Sequence, residues 1–310
     1  MVKLSRYGKV AEWSKAHAWK VCKGSRSSWV RIPPFPPRLF CQPAPLKPLC
    51  KLSYYIRTMI TSPDNAKIKH TRRLLTHSKY RQTHGQCVVE NRQYINALCH
   101  THPHLIHFIL LKNPVSEEIL ILPKNTTTVT VAPDIFDTIP TIKGATVLAV
   151  VQIPDLEQPS TITTLLYSDG IQIPANIGAI IRSAVAFNVD ALLISPDTCD
   201  PYHPASIRAS SGVIFQLPIL TLPLIKLDSV YKNRYNALPI YALDSNGTAS
   251  LHDQSLPHPK IVVIGSEKGL SEQTLALIPD KNRLMIPMND GVESLNVAVS
   301  TGVLLYQLSH

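Results

Sequence analysis

Short hydrophobic runs recur along the second half of the chain and indicate buried strands. They cover residues 165–167, 191–194, 240–243 and 260–264, and each ends in a polar loop that contains Gly or Ser. Strands that alternate with helices in this way are typical of a parallel sheet with helices on both faces. We therefore predict an α/β fold whose ligands bind beyond the carboxyl ends of the strands.

One helix is predicted after the first of these strands, over residues 176–187. Its apolar residues share one stripe of an α-helix: Ile177, Ile180, Ile181, Ala184 and Val185. Arg182 lies five residues after Ile177, which is about 140° round the helix axis. We expect its side chain to point away from the core.

Residues 59–152 predict a smaller α/β unit, which we take as a separate domain ahead of a second domain at 160–310. A turn at 62–65 starts a helix that buries Ile68, Leu74 and Leu75, and a second helix follows around residues 94–98. Strands are predicted at 86–90, 108–111, 118–121 and 147–151. Two prolines indicate a linker between the domains, at 152–163.

The leader, residues 1–58, differs from the rest of the chain. It holds 12 of the 31 Lys and Arg residues, one of the 21 acidic residues and all three Trp. It has no helical or alternating periodicity, and the run Pro-Pro-Phe-Pro-Pro blocks both helix and strand. Its text resembles a conceptual translation of the complementary strand of a tRNA gene. We predict a disordered leader and a natural start at Met59; a transit peptide is the alternative.

A basic segment opens the first domain. Residues 59–92 carry seven Lys and Arg against two acidic residues, whereas residues 93–310 are net acidic. A basic arm on an acidic body is the electrostatic footprint of a polyanion partner. The alternative is a solvated helix face. The candidate contacts are Lys67, Lys69, Arg72, Arg73, Lys79 and Arg81.

The patterns of cysteine, apolar and histidine residues argue against a disulfide-rich, a membrane-spanning and a metal-binding protein. Six Cys without a CxxC pair fit free thiols in a reducing cytoplasm. Apolar runs such as 147–151 fall far short of the about 20 residues that span a bilayer, so no membrane segment is predicted. Residues 99–107 hold one Cys and four His, but Pro103 breaks the helix that would align two His. We predict no metal site.

Three loops carry the candidate chemistry, at residues 174–178, 265–271 and 286–296. Helix N-termini and Gly-containing turns offer free backbone N–H groups to a ligand. The chain contains neither GxGxxG nor GxxxxGK[ST]. Taken singly, each loop reads as a turn with a cap: Ser294 or Asn296 fits an N-cap, and Gly265 or Gly269 a turn position.

Taken together, the three loops resemble the SpoU/TrmH family of RNA ribose 2′-O-methyltransferases, in the SPOUT superfamily. Residues 176–184 (NIGAIIRSA) resemble its first motif, 265–271 (GSEKGLS) the second and 286–297 the third; 200–202 and 207–215 also match. The resemblance implies S-adenosylmethionine-dependent methylation of a ribose 2′-OH, in rRNA rather than tRNA. It also implies a parallel-sheet domain with a deep trefoil knot, and a homodimer whose subunits share the sites.

The resemblance also implies roles for individual residues. Catalysis would fall to Arg182, Asn176, Glu267, Ser294 and Asn296. The cofactor would be held at Gly265, Ile286, Leu295, Leu243 and Gly269. Arg208 would join the RNA-binding residues. Arg182 would act either as the base or by binding a phosphate or stabilising the oxyanion.

This sequence departs from the family pattern at the second motif. A single residue, Lys268, separates Glu267 from Gly269 where the family has two. Asn188 and Asn91 stand where the family often has Gly, and Asn tolerates the left-handed conformation well. The shortened motif favours one alternative, a non-catalytic RNA-binding protein that has lost the cofactor.

Overall fold

The structure, a computed structural model, describes residues 59–114, 122, 126–157, 161–227, 238–253 and 256–309. The leader and the strand predicted at 118–121 lie outside these residues. All the described residues fall within a single compact unit, residues 51–310.

A five-stranded mixed sheet forms the first part of the fold. In chain order its strands are β1 (Met59–Ile60), β2 (Gln86–Val89), β3 (Ile106–Lys112), β4 (Thr128–Val131) and β5 (Val147–Gln152). Their order in the sheet is β1-β4-β3-β5-β2. β3 is parallel to β4 and antiparallel to β5, which is antiparallel to β2. The helices are α1 (Ala66–Thr76), α2 (Ser78–His84), α3 (Arg92–Thr101) and α4 (Pro133–Phe136).

Asparagine side chains start the two longer helices of this part. Asn65 caps α1 by accepting a hydrogen bond from the Lys67 N–H at 2.9 Å, which confirms the predicted helix start. Asn91 caps α3 in the same way, with φ of −96°. Its backbone is therefore not left-handed, whereas Asn188 does adopt a φ of +54°.

A seven-stranded sheet forms the second part, and all its strands pair in parallel, as predicted. The strands are β6 (Thr164–Ser168), β7 (Ala191–Ile194), β8 (Ile219–Thr221), β9 (Ile240–Leu243), β10 (Ala249–Ser250), β11 (Lys260–Ile264) and β12 (Arg283–Met285). Their order is β10-β12-β9-β11-β6-β7-β8. The helices are α5 (Pro174–Ala186), α6 (Pro204–Ala209), α7 (Glu272–Leu275) and α8 (Val297–Leu308). The trefoil knot stays a prediction.

Apolar side chains cover both faces of the seven-stranded sheet. One face packs against α5 and α8 through residues such as Ile180 and Leu304, and the opposite face packs around Tyr167 and Ile278. The first of these clusters continues into the five-stranded sheet through Val89 and other buried residues. The two sheets therefore share a core. The division into domains at 59–152 and 160–310 stays a prediction.

Neither a membrane helix nor a metal cluster occurs in the described residues. None of the helices there is both long and apolar enough to cross a membrane. The His-rich stretch 99–107 forms the end of α3, a single 3₁₀ turn and the start of β3. Across the described ranges, no three His, Cys, Asp or Glu side chains group as metal ligands would.

Candidate active site

Three neighbouring strands end beside each other at one edge of the seven-stranded sheet. In the register of the sheet, Leu243 of β9 lies opposite Ile264 of β11 and Leu284 of β12. Gly265 follows β11 directly, and Ile286 follows β12 directly. Three of the five residues predicted to hold a cofactor are thus brought together by strand pairing, at the edge where parallel sheets bind ligands.

The loop after β11 closes as a tight turn in spite of its shortened motif. Ser266 and Gly269 exchange backbone hydrogen bonds of 2.9 and 3.1 Å, and Gly269 has a φ of +88° that favours glycine. A Cβ on Gly265 would lie 2.6 Å from the carbonyl carbon and oxygen of Gly269. Gly265 is therefore required for the turn to fold back on its own strand.

Asn176, in the first turn of α5, joins the three candidate loops. Its Nδ2 donates to Glu267 Oε1 at 2.5 Å, and its Oδ1 accepts from Asn296 Nδ2 at 3.2 Å. Asn296 is also the N-cap of α8, accepting from the Ala298 N–H at 2.9 Å. One amide therefore connects the loop after β11 with the start of the last helix.

The other two predicted catalytic residues, Arg182 and Ser294, do not join this network. Arg182 is exposed on α5, off the core stripe as predicted. Among the described residues it makes no hydrogen bond or ion pair. Ser294 is also exposed, and Asn296 rather than Ser294 caps α8. The described chain alone thus links three of the five predicted catalytic side chains.

The position of Asn176 depends on close packing between α5 and α6. A Cβ on Gly178 would lie 2.3 Å from the backbone oxygen of Ser206, so glycine permits the approach. The Ser206 hydroxyl donates to the Pro174 carbonyl oxygen at 2.7 Å. These contacts fix the first turn of α5, and with it Asn176.

An open depression of about 450 Å³ lies along the third candidate loop. It is lined by Pro287, Met288, Asn289, Val292 and Leu295. Leu295, which lines this depression, is one of the predicted cofactor residues. Gly269, another of them, is instead exposed on the turn after β11. The lining combines apolar side chains with one amide, a composition typical of small-molecule sites.

Sequence reasoning missed two polar residues next to this edge. Asp169 directly follows β6, is buried, and accepts a hydrogen bond from the Ser271 N–H at 2.8 Å, which anchors the far side of the loop after β11. Burial, reinforced by the negative charges of Asp200 and Glu267, raises the pKa of the Cys199 thiol to about 11. Cys199 is thus a neutral thiol at neutral pH. The signal that could have identified Asp169 was its position, as a polar residue directly after a buried strand.

Five of the six predicted RNA-binding residues of the basic arm fall into two groups. Lys69, Arg73 and Lys79 are exposed, on α1 and α2. The second group, Lys67 and Arg72, is half-buried. The Nζ of Lys67 lies 4.5 Å from the centre of the Phe108 ring, and Arg72 donates to the Thr138 hydroxyl.

Two further predicted RNA-binding residues are held in ion pairs between the two parts of the fold, whereas the exposed Lys69 pairs with the exposed Asp64 at 2.9 Å. Arg81 is wrong as an RNA contact, because its side chain is 2% exposed and pairs with Asp200 at 2.6 Å. Arg208 pairs with Glu90 at 2.6 Å and keeps 34% of its side chain exposed. The local charge pattern does not reveal these partners, which lie 119 and 118 residues away in the chain.

Comparison with known proteins identifies the second part of the fold. The SpoU rRNA Methylase family matches residues 163–306. A 23S rRNA (uridine(2479)-2′-O)-methyltransferase of Streptomyces viridochromogenes is 34% identical over 139 residues, 43% of this chain and 48% of that protein. An uncharacterized tRNA/rRNA methyltransferase of Synechocystis is 35% identical over 147 residues, 46% of this chain and 51% of that protein. The chain thus spans about half the length of these curated relatives.

Solved structures extend the likeness over both sheets. The SpoU methyltransferase AviRb of Streptomyces viridochromogenes, crystallised with AdoMet, superposes with a TM-score of 0.65 at 26% identity, covering 79% of this chain and 98% of its own. An RNA 2′-O ribose methyltransferase superposes with a TM-score of 0.65 at 27% identity, covering 81% and 98%. Residues 163–306 thus match the SpoU rRNA Methylase family, and the fold is similar to that of solved SpoU and RNA 2′-O ribose methyltransferases.

Proposed function

We propose that this protein is an S-adenosylmethionine-dependent RNA methyltransferase that methylates a ribose 2′-OH, in rRNA. The hydrogen-bonded junction of Asn176, Glu267 and Asn296 carries this proposal, because it unites all three family-like loops at the ligand-binding edge of the sheet. The named activities of the relatives support the reaction, and the Streptomyces viridochromogenes relative is named as a 23S rRNA 2′-O-methyltransferase.

The residues at the edge of the sheet fit S-adenosylmethionine. The backbone at Gly265, Ile286 and Leu295, with Leu243 and Gly269 beside it, would hold the adenosine. The tight turn at Gly265 leaves no room for a side chain, and the depression near Leu295 supplies an apolar wall. When bound, the cofactor supplies a sulfonium methyl group.

The polar junction would orient the substrate ribose. A 2′-OH is a poor nucleophile at neutral pH, so it needs alignment and loss of its proton. Asn176 and Asn296 both donate and accept hydrogen bonds, and the Glu267 carboxylate holds Asn176 in place. Ser294 lies two residues before Asn296, on the same loop.

Arg182 would act through its positive charge. None of the 12 His residues falls in the three loops, so they contain no imidazole base. The guanidinium group of an arginine carries its positive charge at neutral pH. We assign Arg182 to a substrate phosphate or the developing oxyanion, while solvent takes the proton.

The same proposal includes a homodimer. Val299, Val303 and Tyr306 form an apolar stripe on the outer face of α8 and are 54%, 41% and 57% exposed. A second copy that covers this stripe would bury it, as the resemblance implies. Shared sites would then bring the exposed Arg182 to the junction of the other subunit.

The basic face of α1 and α2 would bind the RNA backbone through Lys69, Arg73 and Lys79.

The three described cysteines, Cys87, Cys99 and Cys199, are free thiols, which supports the proposed location in a reducing cytoplasm.

Mapping of 2′-O-methyl groups in cells with and without the gene tests the substrate. We expect one rRNA nucleotide to lose its methyl group without the gene, and to regain it from wild type but not from Arg182→Ala. Loss confined to a tRNA would assign the enzyme to tRNA. An unchanged map would contradict the proposed function.

A further inference from the structure

We propose that two ion pairs between the sheets, the buried Arg81–Asp200 pair and the half-buried Glu90–Arg208 pair, position the first sheet relative to α5 for RNA methylation. The positioning role rests on the proposed function. The proposal assigns Arg81 and Glu90 a positioning role, without contact with either substrate.

The first pair joins α2 to the loop that follows β7. Arg81 Nε donates to Asp200 Oδ2 at 2.6 Å, with side chains 2% and 9% exposed. Arg81 Nη1 also donates to the Leu74 carbonyl oxygen at 2.6 Å, and Asp200 Oδ1 accepts from the Tyr202 N–H at 2.9 Å. On each side of the boundary between the two parts of the fold, a further hydrogen bond thus satisfies the charged group, as a buried pair requires.

The second pair joins the end of β2 to α6. Glu90, 1% exposed, accepts from Arg208 Nη1 at 2.6 Å. Its carboxylate also accepts from the backbone N–H and hydroxyl of Thr141, at 2.5 and 2.7 Å. Arg208 donates to the same hydroxyl at 2.9 Å. This makes a closed network of three side chains across the boundary.

The two pairs have opposite polarity. The first sheet supplies the cation of one pair and the anion of the other. If one sheet shifted so that the two pairs exchanged partners, Arg81 would face Arg208 and Glu90 would face Asp200. This repulsion between like charges disfavours other arrangements of the sheets. Close packing adds to this: a Cβ on Gly212 would lie 3.0 Å from the Tyr94 Cβ of α3. The boundary therefore favours one docking geometry.

The second pair connects to the active site through α6. Arg208 lies two residues after Ser206, whose hydroxyl donates to the Pro174 carbonyl oxygen at 2.7 Å. Pro174 begins α5, and Asn176 follows in the same turn. The position of the first sheet, with its basic face, is thus coupled by direct contacts to the helix that carries Asn176 and Arg182.

Two double variants test the proposal in the full chain. Arg81→Met with Asp200→Asn removes both charges of the first pair and keeps the acceptor for Tyr202. Glu90→Gln with Arg208→Met does the same for the second pair and leaves an acceptor for Thr141. Removing both partners avoids an unpaired buried charge, which would itself destabilise the fold. The control is Lys112→Met with Asp137→Asn, an ion pair of 2.6 Å within the first part of the fold.

Hydrogen exchange gives a measurement that does not depend on activity. We expect both double variants to raise exchange at residues 86–89 and 204–209 by about tenfold or more, and the control to leave it unchanged. Exchange in β11 should not change. Equal exchange at 86–89 and 204–209 in wild type and both variants would overturn the coupling.

Steady-state kinetics separates positioning from a merely structural role. For both variants we expect KM for the RNA to rise by about fivefold or more, while kcat and S-adenosylmethionine affinity stay within about twofold. Raised exchange with an unchanged KM would overturn the positioning role, as would a parallel loss of cofactor affinity. A wild-type protein without methyl transfer would overturn the proposed function and the positioning role with it; hydrogen exchange would still decide the coupling.

Discussion

Asn176 donates a hydrogen bond to Glu267 at 2.5 Å and accepts one from Asn296 at 3.2 Å. These partners lie 91 and 120 residues further along the chain, yet one amide satisfies both. The three loops that resemble a methyltransferase therefore form one junction, at the carboxyl end of a parallel sheet.

Substitution of Asn176 should impair methyl transfer in a graded way. Asn176→Ala removes both hydrogen bonds, and we expect a loss of about tenfold in kcat, or about 1.4 kcal/mol. Asn176→Asp keeps the acceptor but sets a carboxylate against Glu267, so we expect about 100-fold. Initial rates of methyl transfer to RNA check both values.

The rescue variant tests whether the charge clash is the cause. Adding Glu267→Gln to Asn176→Asp replaces one carboxylate by an amide that donates to the new aspartate. We expect at least part of the lost rate to return. If Asn176→Asp is as active as wild type, the junction has no role in the reaction.

Gly265→Ala should weaken binding of S-adenosylmethionine. The added Cβ would lie 2.6 Å from backbone atoms of Gly269, so the turn after β11 has to open. We expect at least about a tenfold rise in Kd by calorimetry, or about 1.4 kcal/mol. Gly302→Ala is the control, because its nearest neighbour is Ser183 Oγ at 3.8 Å. Equal affinities of wild type and Gly265→Ala would place the cofactor elsewhere.

RNA affinity should depend on the exposed face of α1. Lys69 and Arg73 lie one helical turn apart on that face. Each contact to a single-stranded phosphate adds roughly −0.7 to the slope of log K against log salt. We expect the double change to Gln to flatten the slope by about 1.4.

The matched control for this titration is Lys281→Gln. Lys281 is exposed just before β12, at the amino end of that strand and away from the junction. Its removal should leave the slope unchanged. Identical slopes for wild type and the α1 variant would show that this basic face is only solvated.

The apolar stripe on α8 should determine the oligomeric state. Val303→Glu places a charge in the stripe, between Val299 and Tyr306, and we expect the dimer to dissociate in sedimentation velocity. Leu277→Glu is the control, since Leu277 is 39% exposed but follows α7 rather than lying on α8. A monomeric wild type would contradict the homodimer.

The sequence alone predicted the elements whose signal is local. Strands β7, β9 and β11 have the predicted bounds, because continuous apolar runs end at polar loops. The helix start at 62–65 was predicted, and Asn296 was one of the two caps predicted for the last helix. Strands of two or three residues, such as β1, β8 and β10, were missed. Too few residues form them to give a periodicity, and their pairing comes from distant partners.

The candidate site was predictable in composition but not in geometry. Family-like loops identified Asn176, Glu267 and Asn296, yet their mutual hydrogen bonds depend on tertiary packing. For the same reason the charge pattern misassigned Arg81: a basic residue in a basic segment looks exposed until its partner, Asp200, is known. Buried charge pairs across long separations leave no local signal.

Transfer of a labelled methyl group from S-adenosylmethionine to rRNA, followed by alkaline hydrolysis, tests the central claim most directly. A methyl group on the 2′-oxygen blocks cleavage at that nucleotide. We predict label in an alkali-resistant dinucleotide with wild type and no transfer with Arg182→Ala. Label in single nucleotides would mean methylation of a base, and S-adenosylmethionine binding without transfer to any RNA would contradict the assignment as an enzyme.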